Sequence, residues 1–257
     1  MQGMRYHIDT IPVWDAVKQG GECPLCALRR REELGAVQRC LGGSVMEPDT
    51  RIRVNEKGFC PRHHVLLYAQ QNRLGHALMT HTHLMETEKR AGDILKKAAE
   101  GKKPSRMLRA LGKGGEGDPA LAAAEALDQL TGSCVLCEEI GENMRRYAYT
   151  FLHLYAHDDA FRAAFKASRG VCLPDASLLL RMAGEALGAS QQAEFIADLT
   201  ALEEANLKRV EGELEWFTLK FDYRNADKPW NNSRDALERA VTKLRGWCVG
   251  AEPDAKK

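Results

Sequence analysis

The sequence has almost no excess of charge of either sign. Its 37 Lys+Arg against 36 Asp+Glu leave a formal charge of +1 over 257 residues. Phosphate contacts dominate nucleic-acid affinity, so a chain without a basic excess makes a poor general nucleic-acid binder. A locally basic stretch, from Lys102 to Lys113, reads as a solvated linker rather than a binding patch. Long apolar runs are missing too, and none approaches the roughly 20 residues that a membrane-spanning helix needs. Met1 to Thr10 is polar and lacks the apolar core of a secretory signal. The expected compartment is the cytoplasm, with no membrane attachment. Alternating strand patterns are scarce. Gly112-Lys113 lacks the spacing, the following Ser or Thr and the preceding strand of a phosphate loop. Nucleophile–base pairs, paired catalytic carboxylates and nucleotide fingerprints are absent, so the chain leans away from enzymes.

What the sequence does have is cysteine, eight residues of it. Cytoplasmic thiols are kept reduced, so this number points to metal or redox chemistry rather than to disulfides. A chain of this length buries roughly 70–75% of its unfolded surface. A metal would therefore organise a junction, not substitute for a core. Six of the cysteines fall into a pattern that occurs twice. The first copy is Cys23-Pro-Leu-Cys26 followed by Cys60-Pro-Arg-His63, and the second is Cys134-Val-Leu-Cys137 followed by Cys172-Leu-Pro-Asp175. Cys60 lies 34 residues after Cys26, and Cys172 lies 35 after Cys137. Gly21 and Gly132 stand two residues before the first cysteine of each copy, and Gly58 and Gly170 two before the third. This agreement of spacing and flanks reads as an internal duplication.

Apolar residues recur at helical spacing. Ile140, Met144, Tyr147, Phe151 and Tyr155 form one stripe, and Phe195, Leu199, Leu202, Val210, Phe217 and Phe221 another. A third runs through Leu74, Leu78, Leu84, Met85, Ala91 and Leu95, and Ser233 is placed to cap a last helix carrying Leu237, Ala240, Val241 and Leu244. The expected fold is all-α, with duplicated helical-bundle repeats built of long helices. The first repeat spans 1–100, a Gly/Lys-rich linker 101–119, and the second repeat with C-terminal helices 120–257. Proline after Cys23 and after Cys60 suits the first position of a helix, where its missing N–H goes unused anyway. Each ligand pair then sits at i and i+3 on one helical face. The helix start also favours thiolate through its partial positive charge.

These features predict a tetrahedral zinc site of Cys23, Cys26, Cys60 and His63, with an iron–sulfur cluster as the alternative. A second site would use Cys134, Cys137 and Cys172. Its fourth position is filled by Asp175, by another residue or a water, or the site is empty. A zinc-bound water there would permit hydrolytic chemistry, but the His-x-Glu motif of zinc deaminases is absent. His64 is a rival to His63 as ligand. His76, His81, His83 and Glu88 read as core polar residues, and His153 and His157 as surface or packing residues. Cys40 and Cys248, outside the pattern, read as buried apolar thiols. Phe221 to Ser233, rich in aromatics and in both charges, reads as an interhelical connector with Trp230 buried.

Asp9-Thr-Ile-Pro-Val-Trp14, Gly21-Glu-Cys-Pro-Leu-Cys26, Met46-Glu-Pro-Asp49, Asn55-Glu-Lys-Gly-Phe-Cys60-Pro-Arg-His63 and Phe221-Asp-Tyr-Arg-Asn-Ala-Asp-Lys-Pro-Trp230 occur together. In this combination the chain resembles, over almost its whole length, an uncharacterised bacterial family of cysteine-rich proteins, a domain of unknown function. The resemblance implies a shared fold and paired Cys/His sites, and no activity. A typical second repeat of that family ends in Cys-x-x-His, and Asp175 departs from it. Three functions stay open: a metal-stabilised helical interaction or adaptor protein with an unidentified protein partner, an iron–sulfur or thiol redox protein, and, least favoured, a nucleic-acid regulator.

Overall fold

The computed structural model describes residues 5–101 and 118–248, with side chains from residue 9 onward. The expected linker lies almost wholly outside the described residues. Among those described there are eleven α-helices and no strand. They are α1 (Arg5–Lys18), α2 (Pro24–Leu41), α3 (Pro48–Lys57), α4 (Pro61–Ala69), α5 (Arg73–Glu100), α6 (Pro119–Thr131), α7 (Val135–His157), α8 (Asp159–Lys166), α9 (Leu173–Ala186), α10 (Ala189–Leu219) and α11 (Ala236–Arg245).

The chain divides into two compact units. Among the described residues, unit one comprises 5–33 and 140–248, and unit two comprises 34–101 and 118–139. Neither unit coincides with a half of the sequence, and each draws on both sides of the linker. Helices α2 and α7 both supply residues to each unit.

Unit one is built on aromatic packing. The expected stripe on α7 is buried throughout, from Ile140 to Tyr155. Phe151 meets Phe161 and Phe165 edge-on, each at 5.0 Å, and Tyr155 meets Phe195 of α10 at the same distance. Edge-to-face contacts of this kind add about 0.5–1.5 kcal/mol each beyond the area they bury. Asp158 starts α8 by accepting from the Phe161 N–H, and its other oxygen accepts from the Trp14 indole of α1. A helix cap thus doubles as a tertiary anchor.

In unit two, α5 packs along α3 and α6. Asn72 caps α5 by accepting from the Gly75 N–H, and Asp118 caps α6 by accepting from the Ala120 N–H. Met79 is fully buried on α5, whereas Leu74, Leu78, Leu84, Met85 and Leu95 are exposed, Leu74 by 72%. The expected stripe on this helix is therefore its outer face. Helical periodicity marks apolar faces but does not say which one neighbours cover.

Three local expectations change near the end of unit one. Asp235, not Ser233, precedes the first residue of α11, while the Ser233 hydroxyl donates to the Trp230 carbonyl. The connector after α10 is organised by buried Lys220, whose ammonium donates to the carbonyls of Asn225, Ala226 and Lys228. Trp230 is only half-buried there, and Phe221 and Tyr223 are exposed. Cys40 is buried as expected, but Cys248 is exposed.

Candidate metal centres

Among the described residues, two groups of four donor atoms form, each within 4.8 Å. They do not follow the order of the sequence. Cys60 and His63 meet Cys134 and Cys137, all in unit two. Cys23 and Cys26 meet Cys172 and Asp175, all in unit one. The expected sharing of one ion by Cys23, Cys26, Cys60 and His63 is thus corrected: the inner motifs pair with each other, and so do the outer ones.

Backbone geometry places the inner group. Gly58 ends α3 at φ +62°, a left-handed conformation that costs glycine nothing. A Cβ there would also collide with the His83 ring. The turn delivers Cys60 to the N-cap of α4, with Pro61 at the first helical position. The Gly58 carbonyl then accepts from the Val135 N–H at 3.1 Å, and the Lys57 carbonyl accepts from the Ser133 hydroxyl at 2.8 Å. These bonds stitch the start of α7, which carries Cys134 and Cys137, to the start of α4. The His63 Nδ1 atom faces all three sulfurs, at 3.2 Å from Cys60, 3.3 Å from Cys134 and 3.4 Å from Cys137. The Sγ atoms of Cys60 and Cys137 are 3.6 Å apart.

The outer group is held by a different set of side chains. Gly170 also sits left-handed, at φ +72°, with the Glu203 carboxylate where a Cβ would be. Glu203 accepts from the Val171 N–H at 2.6 Å. The fully buried Lys243 of α11 donates to the carbonyls of Arg169 and Val171 and lies 3.5 Å from Glu203. This clamp presents Cys172 at the N-cap of α9. Asp175 Oδ2 lies 3.2 Å from Cys172, 3.3 Å from Cys23 and 3.5 Å from Cys26. Its Oδ1 accepts from Arg29 at 2.7 Å. Gly246, at φ +83°, lets the Trp247 N–H reach the Cys26 sulfur at 3.4 Å.

The spacing suits a single ion. Zinc–sulfur bonds of 2.3 Å at tetrahedral angles put sulfurs about 3.8 Å apart, and a nitrogen or oxygen ligand about 3.5 Å from each sulfur. The shortest donor separations, 3.2–3.6 Å, fall close to these edges, and every donor lies within 4.8 Å of the others in its group. Electrostatics fits as well. Burial pushes the Cys23 thiol and the Asp175 carboxyl up. Thiol hydrogen bonds from Cys23 and Cys26 pull Cys172 down to about 3. Four acidic groups this close cannot all ionise by themselves; a divalent cation would replace the protons that separate them. Asp175 Oδ2 faces all three sulfurs and would supply the fourth donor to an ion held there.

The remaining histidines with described side chains lie outside both groups. His64 pairs with His76 at 3.0 Å, which leaves His63 as the cluster residue of the adjacent pair. His83 faces the Asn55 carbonyl, and His81 is exposed rather than in the core. His153 and His157 stack on each other at 4.3 Å. Arg29, which no motif singled out, is the missed partner. Its position three residues after Cys26 places it on the ligand face of α2, a cation suited to a carboxylate in place of histidine.

Residues 4–251 match a family of unknown function, DUF6062. The chain belongs to that family. No curated protein and no solved structure matches it. For this member of DUF6062, two Cys/His/Asp clusters compatible with metal ions are the chemical signature on which a function has to be built. No helix among its described residues is long and apolar enough to cross a membrane.

Proposed function

We propose that the chain is a zinc protein with two structural ions and no catalytic one. Each ion staples helix starts that are far apart in sequence: α4 to α7 through Cys60, His63, Cys134 and Cys137, and α2 to α9 through Cys23, Cys26, Cys172 and Asp175. The carrying observation is that each group is closed by four donors at the spacing of one tetrahedral ion. A polynuclear iron–sulfur cluster would hold its thiolates farther apart, because several irons lie between them. Arg29 supports the same reading, since a carboxylate ligand is commonly fixed by an outer hydrogen bond. The local parallels at Gly58 with Cys60 and Gly170 with Cys172 favour descent from a duplicated unit. With both centres structural, the biological role falls to surfaces. We assign the protein an interaction or adaptor role in the cytoplasm, with a protein partner rather than nucleic acid. The exposed Phe221 and Tyr223, on the loop that Lys220 organises, suit such contacts.

Elemental analysis of protein purified without added metal tests the reading. Two zinc ions per chain and a colourless solution are expected. Iron with a visible charge-transfer band, or no metal at all, contradicts it.

A further inference from the structure

The two groups differ in access to solvent. Cys23, Cys26, Cys172 and Asp175 are all buried, the last two to within 1%. The Trp247 N–H donates to the Cys26 sulfur, a side chain at Gly246 would reach the Cys26 and Cys172 sulfurs, and Arg29 pairs with Asp175. In the unit-two group, His63 and Cys134 are buried, Cys60 is half-buried and Cys137 is exposed. One edge of that tetrahedron therefore faces water. It is formed by two thiols whose sulfurs are 3.6 Å apart.

Resting on the metal centres proposed above, we propose that the Cys60–Cys137 edge is a site of oxidative modification by peroxides, and that its oxidation releases the unit-two ion while the buried ion stays bound. The Cys137 thiolate attacks one peroxide oxygen, breaks the O–O bond and becomes a sulfenic acid, with hydroxide leaving. The Cys60 thiolate then attacks the Cys137 sulfur, forms the disulfide and expels a second hydroxide. Two thiolates lose two electrons, and one hydrogen peroxide gains them. The disulfide removes two of four ligands, and His63 with Cys134 is too small a set to hold a structural ion. The buried group is spared because an oxidant has to reach a thiolate before it can react.

The test uses the full-length metal-loaded protein carrying Cys248→Ser, which removes the other exposed thiol. Hydrogen peroxide is added with a chromogenic zinc chelator present, and disulfides are mapped by mass spectrometry. One ion per chain should be released, in step with a Cys60–Cys137 disulfide and at least about tenfold faster than the other ion. Release of both ions together, release of neither, or a cross-link within Cys134–Cys137 or among Cys23, Cys26 and Cys172 overturns the proposal. Protein isolated without an ion contradicts the metal centres and the release step together. Disulfide mapping of that protein in peroxide then tests the Cys60–Cys137 edge independently, and a different cross-link overturns it.

Discussion

Cys172→Ser should abolish binding of the buried ion and destabilise unit one by about 3–5 kcal/mol, in the range of breaking a buried charged cluster. Cys172 is the hub of its group. It lies 3.5 Å from Cys26 and 3.2 Å from Asp175, and the Glu203–Lys243 clamp exists to present it. Serine keeps the shape but is a poor zinc ligand at neutral pH. Its loss leaves Asp175 and two thiols buried around a weakened centre. Thermal unfolding with and without a chelator checks the outcome. The wild type should lose stability when both ions are chelated, and the variant should lose less, because only the unit-two ion is left to remove. Equal chelator sensitivity in both proteins would remove Cys172 from the site.

The second large effect is expected at the clamp itself. Glu203→Leu leaves the Lys243 ammonium buried with no carboxylate and the Val171 N–H without its acceptor. Breaking one side of a buried pair typically costs about 3–5 kcal/mol. Replacing both charges, as Glu203→Leu with Lys243→Met, removes the uncompensated ammonium and should recover part of that loss. The recovery is incomplete, because the carbonyls of Arg169 and Val171 still lose the donor that Lys243 supplies. Denaturant unfolding of the single and double variants gives the coupling directly. A double variant as unstable as the sum of the singles would show that Glu203 and Lys243 act independently.

Much of the architecture was written in local patterns. Proline after Cys23 and after Cys60 marked two helix starts, because a missing N–H is harmless only there. The run from Ile140 to Tyr155 marked a buried helix face, and the Cys-x-x-Cys and Cys-x-x-His spacings marked ligand pairs. The partner of each pair was not legible. Cys60 follows Cys26 by 34 residues and Cys172 follows Cys137 by 35, so the chain is equally able to close either way. The bond from the Val135 N–H to the Gly58 carbonyl, which decides the matter in unit two, is made by main-chain atoms that carry no side-chain signal. In unit one the trace was present in Arg29 and Asp175, opposite charges at matching offsets within separate motifs. The stripe on α5 failed for another reason. Periodicity locates an apolar face, but only the neighbouring elements determine whether it is covered.

The crossed pairing is the central claim, and a count of bound ions in a double variant tests it most directly. Cys23→Ser combined with Cys60→Ser strikes both centres if the inner and outer motifs pair as the structure has them. Native mass spectrometry should then find no tightly bound ion, whereas Cys23→Ser with Cys172→Ser, which strikes one centre twice, should keep one. One ion retained in the Cys23/Cys60 variant and none in the Cys23/Cys172 variant would contradict the account and return the ligands to the order in which the sequence presents them.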